Sequence, residues 1–425
     1  MSQSPPTLAG RLLAGLGRRL RPLLNPDADA ERARFEKFAR EQRDVNEVLQ
    51  RRASSQSERL TEVYREVEVL RKHTSGLRSR LTRQLQFSER VLKRVSDRNV
   101  ELNEERVLDR LARAGRSSGA VIVGPWTGEV GFELIYWVPF VRWALGHAGI
   151  DPARVTVISR GGTAPWYDGL ASRYVDALDL ATPEEFRRRT TENPKQRVMG
   201  TFDRDLLRRA VQGTGPGAVS IIHPGMMYAL LYPYWRRDAS IARLDAYTRY
   251  RRYEPLPAVD AGVTLPPTYT AVRFYFSQCF PDTPENRAFV ATTIRSLAAS
   301  TDVVVLSAGV GLDDHSDAGA ERGHRVHLVD AGLHPSANLA IQTAVISRAS
   351  AFVGTYGGFS YLAPLYGVDT VAFHAESNFQ TTHLHAAQHA LELVDGGALV
   401  PLSVHQAGLL RGILGAPSHP TSRLP

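Results

Sequence analysis

The fold of this chain is decided by residues 346–376, ISRASAFVGTYGGFSYLAPLYGVDTVAFHAE. Their pattern predicts a short buried strand (Ala351 to Gly354), a glycine turn (Thr355 to Gly358), a helix (Phe359 to Tyr366) and a second strand (Thr370 to Phe373). Both strands are apolar on both faces, which is typical of parallel strands covered by helices. The stretch therefore predicts one unit of an α/β fold with a parallel sheet.

The turn in this stretch has the chemistry of an anion site. Gly357 and Gly358 let the backbone bend sharply and bring N–H groups to the start of the next helix. Free N–H donors and the helix dipole both favour a negative group at that point. The alternative is an ordinary strand-to-helix turn without a ligand, because two glycines alone are a weak motif.

The same stretch resembles the donor-site signature of the ADP-heptose lipopolysaccharide heptosyltransferases, roughly A-x-x-x-V/I-G-N-D-S-G-P-x-H-L-A-A-x-x-G-x-P-x-V-A-x-F. The matching positions are Ala349, Val353, Gly354, Thr355, Tyr356, Gly357, Gly358, Leu362, Ala363, Gly367, Val371, Ala372 and Phe373. Tyr356 and Tyr361 stand where that family has an acidic residue and a histidine. The resemblance implies a GT-B-like, two-lobed nucleotide-sugar glycosyltransferase, and it does not imply the heptose donor.

Composition is typical of a globular protein. The 425 residues predict two or three domains, and 43% hydrophobic with 23% charged residues argues against global disorder. The single cysteine, Cys279, excludes an intramolecular disulfide and fits a reducing cytoplasm. No run of 18 apolar residues is long enough for a membrane span. The net charge of +8 is concentrated before residue 120, and without a nucleic-acid motif we expect no nucleic-acid partner.

The first segment, residues 1–28, is basic and amphipathic. Leucines recur at near-helical spacing, at positions 8, 12, 16 and 20. Arginines at positions 11, 18, 19 and 21 add positive charge along the rest of the helix. Such a stretch is suited to peripheral contact with an anionic membrane surface, which predicts a location at the inner face of the membrane. A short packing helix or partly ordered tail is the alternative.

The second segment, residues 29–115, predicts a long helical coiled coil. One heptad frame runs from Leu60 to Leu102, and nine of its thirteen core positions are aliphatic. The frame comprises Leu60, Val63, Val67, Leu70, Thr74, Leu77, Leu81, Gln84, Ser88, Val91, Val95, Arg98 and Leu102. We expect a homo-oligomer through this helix, and a related helix before it from about Asp29 to Arg52. A long helix folded back on the globular body is the alternative.

Strands alternate with helices from the GRSSG joint at residues 115–119 onward, which predicts two Rossmann-like, doubly wound domains that face a cleft. The first, residues 116–262, is the expected acceptor domain, and the second, residues 263–400, the nucleotide-sugar domain, followed by a loose tail at 401–425. The predicted strands are Ala120 to Val123, Val155 to Ile158, Arg197 to Met199, Val219 to Ile222, Tyr269 to Phe276, Val303 to Leu306, Val326 to Val329 and the two described above.

Ligands of open parallel sheets bind beyond the carboxyl ends of the strands, and this rule selects the candidate site residues. On the donor side these are Arg273, Ser277, Ser307, Gly309, Thr355, Tyr356, Gly357, Gly358 and Glu376. An arginine can fork onto phosphate oxygens, so we expect Arg273 and the glycine turn to hold the diphosphate. Glu376 is the candidate for a ribose hydroxyl pair. Trp126, Thr127 and Gly128 form the expected acceptor-side loop.

A catalytic base must remove the proton of the acceptor hydroxyl. Glu129 and Glu133 lie in the first turn of a helix after a glycine loop, and Asp168 is the reserve candidate. Glutamates at a helix start are also ordinary partners of the helix dipole, so that alternative stays open. Four histidines, His374, His383, His385 and His389, are interpreted as solvated helix histidines without a metal, because no cysteine or well-placed carboxylate completes a zinc site.

These patterns and the resemblance together predict a glycosyltransferase. It would move a sugar from a nucleotide-diphosphate donor to a hydroxyl of a cell-surface glycan or lipid-linked saccharide, and the resemblance implies an inverting reaction without metal or other cofactor. Two alternatives stay open: a non-catalytic coiled-coil scaffold whose body binds saccharide or partner, and a sugar-nucleotide epimerase of the same shape.

Overall fold

The computed structural model describes residues 28–192, 195–211, 218–307, 316–329, 334–375 and 381–406. The basic segment up to residue 27, Gly309 and Glu376 lie outside the described residues. The chain divides into two compact units, Met1–Val95 and Ser96–Pro425.

The described part of the first unit is helical throughout. One helix, α1 (Ala28–Arg116), runs for 89 residues, so the two helices expected on either side of residue 52 are a single one. Its apolar side chains before residue 92 are exposed, from Phe35 to Val91. None of the described helices combines the length and the apolar composition that a bilayer span requires.

The end of α1 belongs to the second unit. Val107, Leu111 and Ala114 are buried in its main core, and Leu111 is fully inaccessible. The Glu104 carboxylate accepts a hydrogen bond from the Tyr247 hydroxyl and lies 2.9 Å from the Arg243 guanidinium. The domain boundary expected between residues 115 and 116 therefore falls inside α1, whose last turns pack into the core of the second unit.

The first lobe is built on a four-stranded parallel sheet. Its strands are β1 (Ala120–Val123), β2 (Val155–Ser159), β3 (Arg173–Asp176) and β4 (Val219–Ile222), in the order β3-β2-β1-β4. The helical segments are α2 (Val130–Phe132), a π-helical turn (Glu133–Trp137), α3 (Val138–Ala148), α4 (Ala177–Leu180), α5 (Pro183–Glu192), α6 (Thr201–Ala210), α7 (Pro224–Trp235) and α8 (Ala242–Tyr247).

The second lobe is built on a six-stranded parallel sheet, in the order β12-β11-β10-β5-β7-β9. Its strands are β5 (Thr270–Arg273), β7 (Val303–Val305), β9 (Val326–Leu328), β10 (Ala351–Thr355), β11 (Thr370–His374) and β12 (Leu399–Ser403), with a small antiparallel pair, β6 (Tyr275–Phe276) and β8 (Ser316–Asp317). Its helices are α9 (Pro284–Ala298), α10 (Pro335–Ser347), α11 (Gly358–Leu365) and α12 (Thr381–Leu393).

The predicted architecture of two parallel-sheet lobes behind a long helix is confirmed, with local differences. Residues 197–199 do not form the predicted strand. Strands β3, β8 and β12 were not predicted, and β12 crosses the boundary expected at residue 400. The strand predicted from Tyr269 to Phe276 is divided at Phe274 into β5 and β6.

Each sheet has one point at which the strand order reverses. In the first sheet, β2 and β3 lie on one side of β1, and the chain then returns to form β4 on the other side. In the second sheet, β7 and β9 lie on one side of β5, and the chain then returns to form β10 on the other side. Crevices at such points are where open α/β sheets bind ligands. The loop after β1 and the turn after β10 are therefore the places to look for a site.

The two lobes touch at these points through their backbones. A Cβ added to Gly358 would lie 2.8 Å from the Gly131 nitrogen and 3.0 Å from the Val130 Cβ, closer than ordinary packing allows. Gly131 faces Gly358 in return, since its own added Cβ would lie 3.2 Å from the Gly358 Cα. Only residues without side chains fit on both sides of this contact.

We expect Gly358→Ala to lower the free energy of unfolding by about 1–3 kcal/mol, because the methyl group forces the two lobes apart. The matched control is Gly146→Ala in α3, where an added Cβ meets nothing within 4 Å. That variant should gain about 0.5–1 kcal/mol from helix propensity. Urea unfolding followed by tryptophan fluorescence measures both, and equal effects would show that the contact is not tight.

Candidate functional site

A cavity of about 670 Å³ opens between the two lobes. This volume lies within the roughly 300–1,000 Å³ range of small-molecule sites. The first lobe contributes residues from α2 and from the segments after β2 and α5, and the second lobe contributes the residues after β5 and β10 and one face of α10. The charged side chains that line it are Arg160, Lys195, Arg197, Arg273, Glu129 and Asp317.

The glycine turn faces this cavity. Tyr356, Gly357, Gly358 and Phe359 all line it, while Gly358 also makes the contact with the first lobe. Gly357 has a φ of 153°, and an added Cβ would collide with the Tyr275 hydroxyl at 1.9 Å. Its N–H donates to the Ser360 hydroxyl at 3.0 Å. The turn thus presents bare backbone to the cavity at the start of α11.

Arg273 ends β5 and lines the cavity next to this turn. Its guanidinium carbon lies 4.1 Å from the centre of the Phe359 ring. One guanidinium nitrogen donates to the Gln342 side chain, and another lies 3.4 Å from the Asp317 carboxylate. Gln342 in turn donates to the Ser307 carbonyl at 3.3 Å. The arginine is therefore buried, oriented from two sides and still at the cavity wall.

The other residues predicted for the donor side fall into two groups. Ser277 lines the cavity, with its hydroxyl 3.3 Å from the Cys279 sulfur. Ser307 and Thr355 are not lining residues. The Ser307 hydroxyl donates to Asp317 at 2.9 Å, and the Thr355 hydroxyl donates to the Tyr275 carbonyl at 2.8 Å. Both hydroxyls hold neighbouring elements in place.

Glu129 is the predicted carboxylate that reaches the cavity. It precedes α2, is exposed, and lies 3.0 Å from the Lys195 ammonium group. That ammonium group also lies 4.7 Å from the centre of the Phe132 ring. A carboxylate in this position can contact a ligand in the cleft directly.

Glu133 is fully buried in the π-helical turn and does not line the cavity. One carboxylate oxygen accepts hydrogen bonds from three hydroxyls, those of Ser159 (2.5 Å), Tyr167 (2.7 Å) and Thr163 (3.3 Å). The other oxygen has no hydrogen-bond partner among the described residues. Burial raises the pKa of Glu133 to about 7, against the opposing effect of these hydrogen bonds.

The remaining predicted residues of the first lobe lie away from the cavity. Trp126 and Thr127 are buried, the indole stacking on Trp137 at 5.7 Å and the Thr127 N–H donating to Gln196 at 2.9 Å. The Gly128 carbonyl accepts two hydrogen bonds from Arg160, which lines the cavity. Asp168 is exposed and lies 3.4 Å from the Arg251 guanidinium.

His383 is a cavity residue that was not predicted to lie in the site. It lies in the first turn of α12, and its Nδ1 lies 2.7 Å from the hydroxyl of Tyr136. Its ring packs edge-on against Phe132 at 4.8 Å, and burial lowers the pKa of His383 to about 4. The interpretation as solvated helix histidines is wrong for His374, which ends β11, and for His383, which is half-buried at the cavity, whereas His385 is exposed on α12 as expected.

Aromatic rings form the wall of the first lobe around Phe132. Tyr228 and Trp235 from α7 lie 6.5 and 5.7 Å from it, centre to centre. Together with Lys195 and Arg197 they were missed, because they come from a helix and a connecting segment rather than from strand ends. Within the described residues no group of three or more His, Cys, Asp and Glu side chains is placed to hold a metal ion.

The raised pKa of Glu133 predicts a pH-dependent stability. Between about pH 4.5 and 7 the folded chain holds a proton that the unfolded chain has released. The free energy of unfolding should therefore fall as the pH rises through this window and stay lower above it. Glu133→Gln removes this titration, so its stability relative to the wild type should rise by up to about 3 kcal/mol from pH 4.5 to 8.

Urea unfolding at several pH values measures this difference. The exposed Glu392→Gln is the control and should follow the wild type. If the gap between Glu133→Gln and the wild type stays constant with pH, the pKa of Glu133 is the same in the folded and the unfolded chain and is not raised.

No protein-family model matches the sequence, and none of the curated proteins compared with it does. Three solved structures with a similar fold are glycosyltransferases. The dodecameric, iron-containing glycosyltransferase TibC from enterotoxigenic E. coli is 16% identical over 60% of this chain, with a TM-score of 0.30, and the chain spans 58% of its length.

The other two are a family 9 glycosyl transferase from Veillonella parvula and the E. coli heptosyltransferase WaaC with ADP. They are 9% and 12% identical to this chain, and each has a TM-score of 0.38. The matched region is 70% of this chain in both cases, and it is 90% of the Veillonella chain and 99% of the WaaC chain. Heptosyltransferases and GT-B glycosyltransferases are thus the structural neighbours of this chain. At this level of likeness, activity has to be inferred from the chain's own residues.

Proposed function

We propose that this chain is a glycosyltransferase that uses a nucleotide-diphosphate sugar as donor and a hydroxyl of a glycan or lipid-linked saccharide as acceptor. The observation that carries the proposal is the glycine turn after β10, which faces the interlobe cavity beside Arg273. Backbone N–H groups at a helix start and a neighbouring guanidinium are the two features that stabilise a leaving diphosphate without further chemistry.

The charge of the cavity supports an anionic ligand. Among its described lining residues four are cationic and two are acidic. Lys195 and Arg197 lie on the first lobe and Arg273 on the second, so a ligand that spans the cleft meets positive charge on both sides. A nucleotide-diphosphate sugar carries its charge at its centre, which fits this distribution.

In the proposed reaction, an acceptor hydroxyl attacks the anomeric carbon of the donor sugar. The bond from that carbon to the diphosphate oxygen breaks, and the diphosphate leaves with the electron pair. Arg273 and the start of α11 stabilise its charge. Glu129 accepts the hydroxyl proton, since of the three predicted carboxylates it is the one at the cavity. The resemblance implies that the reaction inverts the anomeric centre and needs no metal.

Glu133 has a different place in this proposal. It lies beneath the cavity, where it holds hydroxyls of β2 and of the loop that follows it. Arg160, the residue after β2, lines the cavity and bonds the loop before α2. We therefore propose that Glu133 positions Arg160 and Gly128 and does not touch the substrate.

Arg273→Ala should weaken the binding of nucleoside diphosphates by about 10- to 100-fold, the range expected for a lost charged hydrogen bond. Asp317→Asn should act in the opposite direction, because Asp317 competes with the phosphate for the same guanidinium. Calorimetric titration with UDP, GDP, ADP and dTDP measures both. The exposed Arg295→Ala is the control.

Unchanged affinity in Arg273→Ala would remove this residue from the phosphate site. If none of these nucleotides, nor any of their sugars or a CMP-sugar, binds the wild type, the scaffold alternative is favoured. Conversion of a sugar nucleotide without an acceptor would favour the epimerase.

Glu129→Gln should reduce sugar transfer by at least about 100-fold while donor affinity is kept, because the amide cannot take the acceptor proton. Release of nucleoside diphosphate in the presence of acceptor measures turnover, and Glu285→Gln on the exposed start of α9 is the control. Full activity of Glu129→Gln would place the base elsewhere.

A further inference from the structure

We infer that residues 60–91 pair with a second copy of this chain as a parallel, in-register, two-stranded coiled coil. This inference concerns the first unit and is independent of the proposed reaction. It specifies the number, the direction and the alignment of the helices, which the heptad pattern alone leaves open.

The first step is the exposure of the seam. Leu60, Leu70, Leu77 and Leu81 lie on one face of α1, and each is between 59% and 65% exposed. Regularly spaced exposed leucines on one helix face are a surface that water disfavours and that a partner helix buries. The described residues of this unit form one helix and supply no second element to cover it.

The second step is the order of the polar positions, which selects a second copy as partner. Thr74, Gln84 and Ser88 interrupt the apolar seam and are exposed. In a parallel, in-register pair each of them lies opposite its own counterpart, and every apolar residue lies opposite an apolar one. The Gln84 amide both donates and accepts, so two copies can bond to each other across the seam. Polar core positions of this kind fix register.

The third step excludes the opposite direction. In an antiparallel pair that aligns Thr74 with Gln84, Leu70 lies opposite Ser88. If Gln84 is aligned with Ser88 instead, Val67 lies opposite Glu105. Either alignment places an apolar side chain against a polar one in the core of the pair, which costs stability.

The flanking and core residues agree with two parallel strands. Glu66 and Arg71 occupy the positions that meet between neighbouring helices of a parallel pair, five residues apart, and their charges attract. Val67 at the first core position with Leu70 at the second is the combination that favours two strands, whereas Leu60 with Val63 has the reverse order, so the number of strands needs a direct measurement of mass.

Disulfide trapping tests direction and alignment together. Cys279 is the only cysteine, so the full chain with Cys279→Ser offers a background without thiols. In this background Leu81→Cys places the two thiols opposite each other in the inferred pair, and oxidation by diamide should give a covalent dimer. The matched control is Ser79→Cys, two residues away on the outer face of the heptad, which should cross-link at least about tenfold more slowly.

Light scattering of the wild type tests the number of strands. A mass of two chains at micromolar concentration is expected, and Leu70→Asp with Leu77→Asp should reduce it to one. All five tryptophans lie after residue 96, so unchanged tryptophan fluorescence shows that the globular unit of this variant is intact. A monomeric wild type, a mass of three or four chains, or equal cross-linking at positions 79 and 81 would overturn the inference.

Discussion

The contact between Gly131 and Gly358 is the constraint on which the rest of the site depends. Because neither residue has a Cβ, the start of α2 and the start of α11 approach to within backbone distance. Both helices follow strands at the reversal points of their sheets. The contact therefore fixes the floor of the cleft and brings Glu129 and the glycine turn to the same cavity.

Two kinds of polar group surround this floor, and they differ in burial. Arg273 and Asp317 reach the cavity, where a ligand can replace one partner of an ion pair by another. Glu133 is enclosed among hydroxyls, and burial raises its pKa to about 7. A buried group of this kind stabilises one local arrangement, whereas the exposed Glu129 lies at the cavity beside the Lys195 ammonium group.

The sequence was sufficient where the pattern was strongest. The buried strands β1, β2, β5 and β10 are apolar runs next to turn residues, and they were predicted to within a residue or two at most ends. The edge strands β4 and β9 were also predicted, but the edge strands β3 and β12 were not. β3 reads RYVD and β12 contains Pro401, and neither shows the apolar run of a central strand. Lys195 and His383 could not be assigned because long-range packing, rather than local pattern, brings them to the cleft.

The π-helical turn from Glu133 to Trp137 has a further consequence for how this chain can vary in length. It inserts one extra residue into an otherwise α-helical run, and such insertions are common at functional sites. Loss of a single residue here would restore regular winding and leave the preceding turn in nearly the same orientation, because the wider π-helical turn absorbs the extra residue. Gly131 would then stay against Gly358, so the chain can lose one residue at this turn without breaking the contact between the lobes.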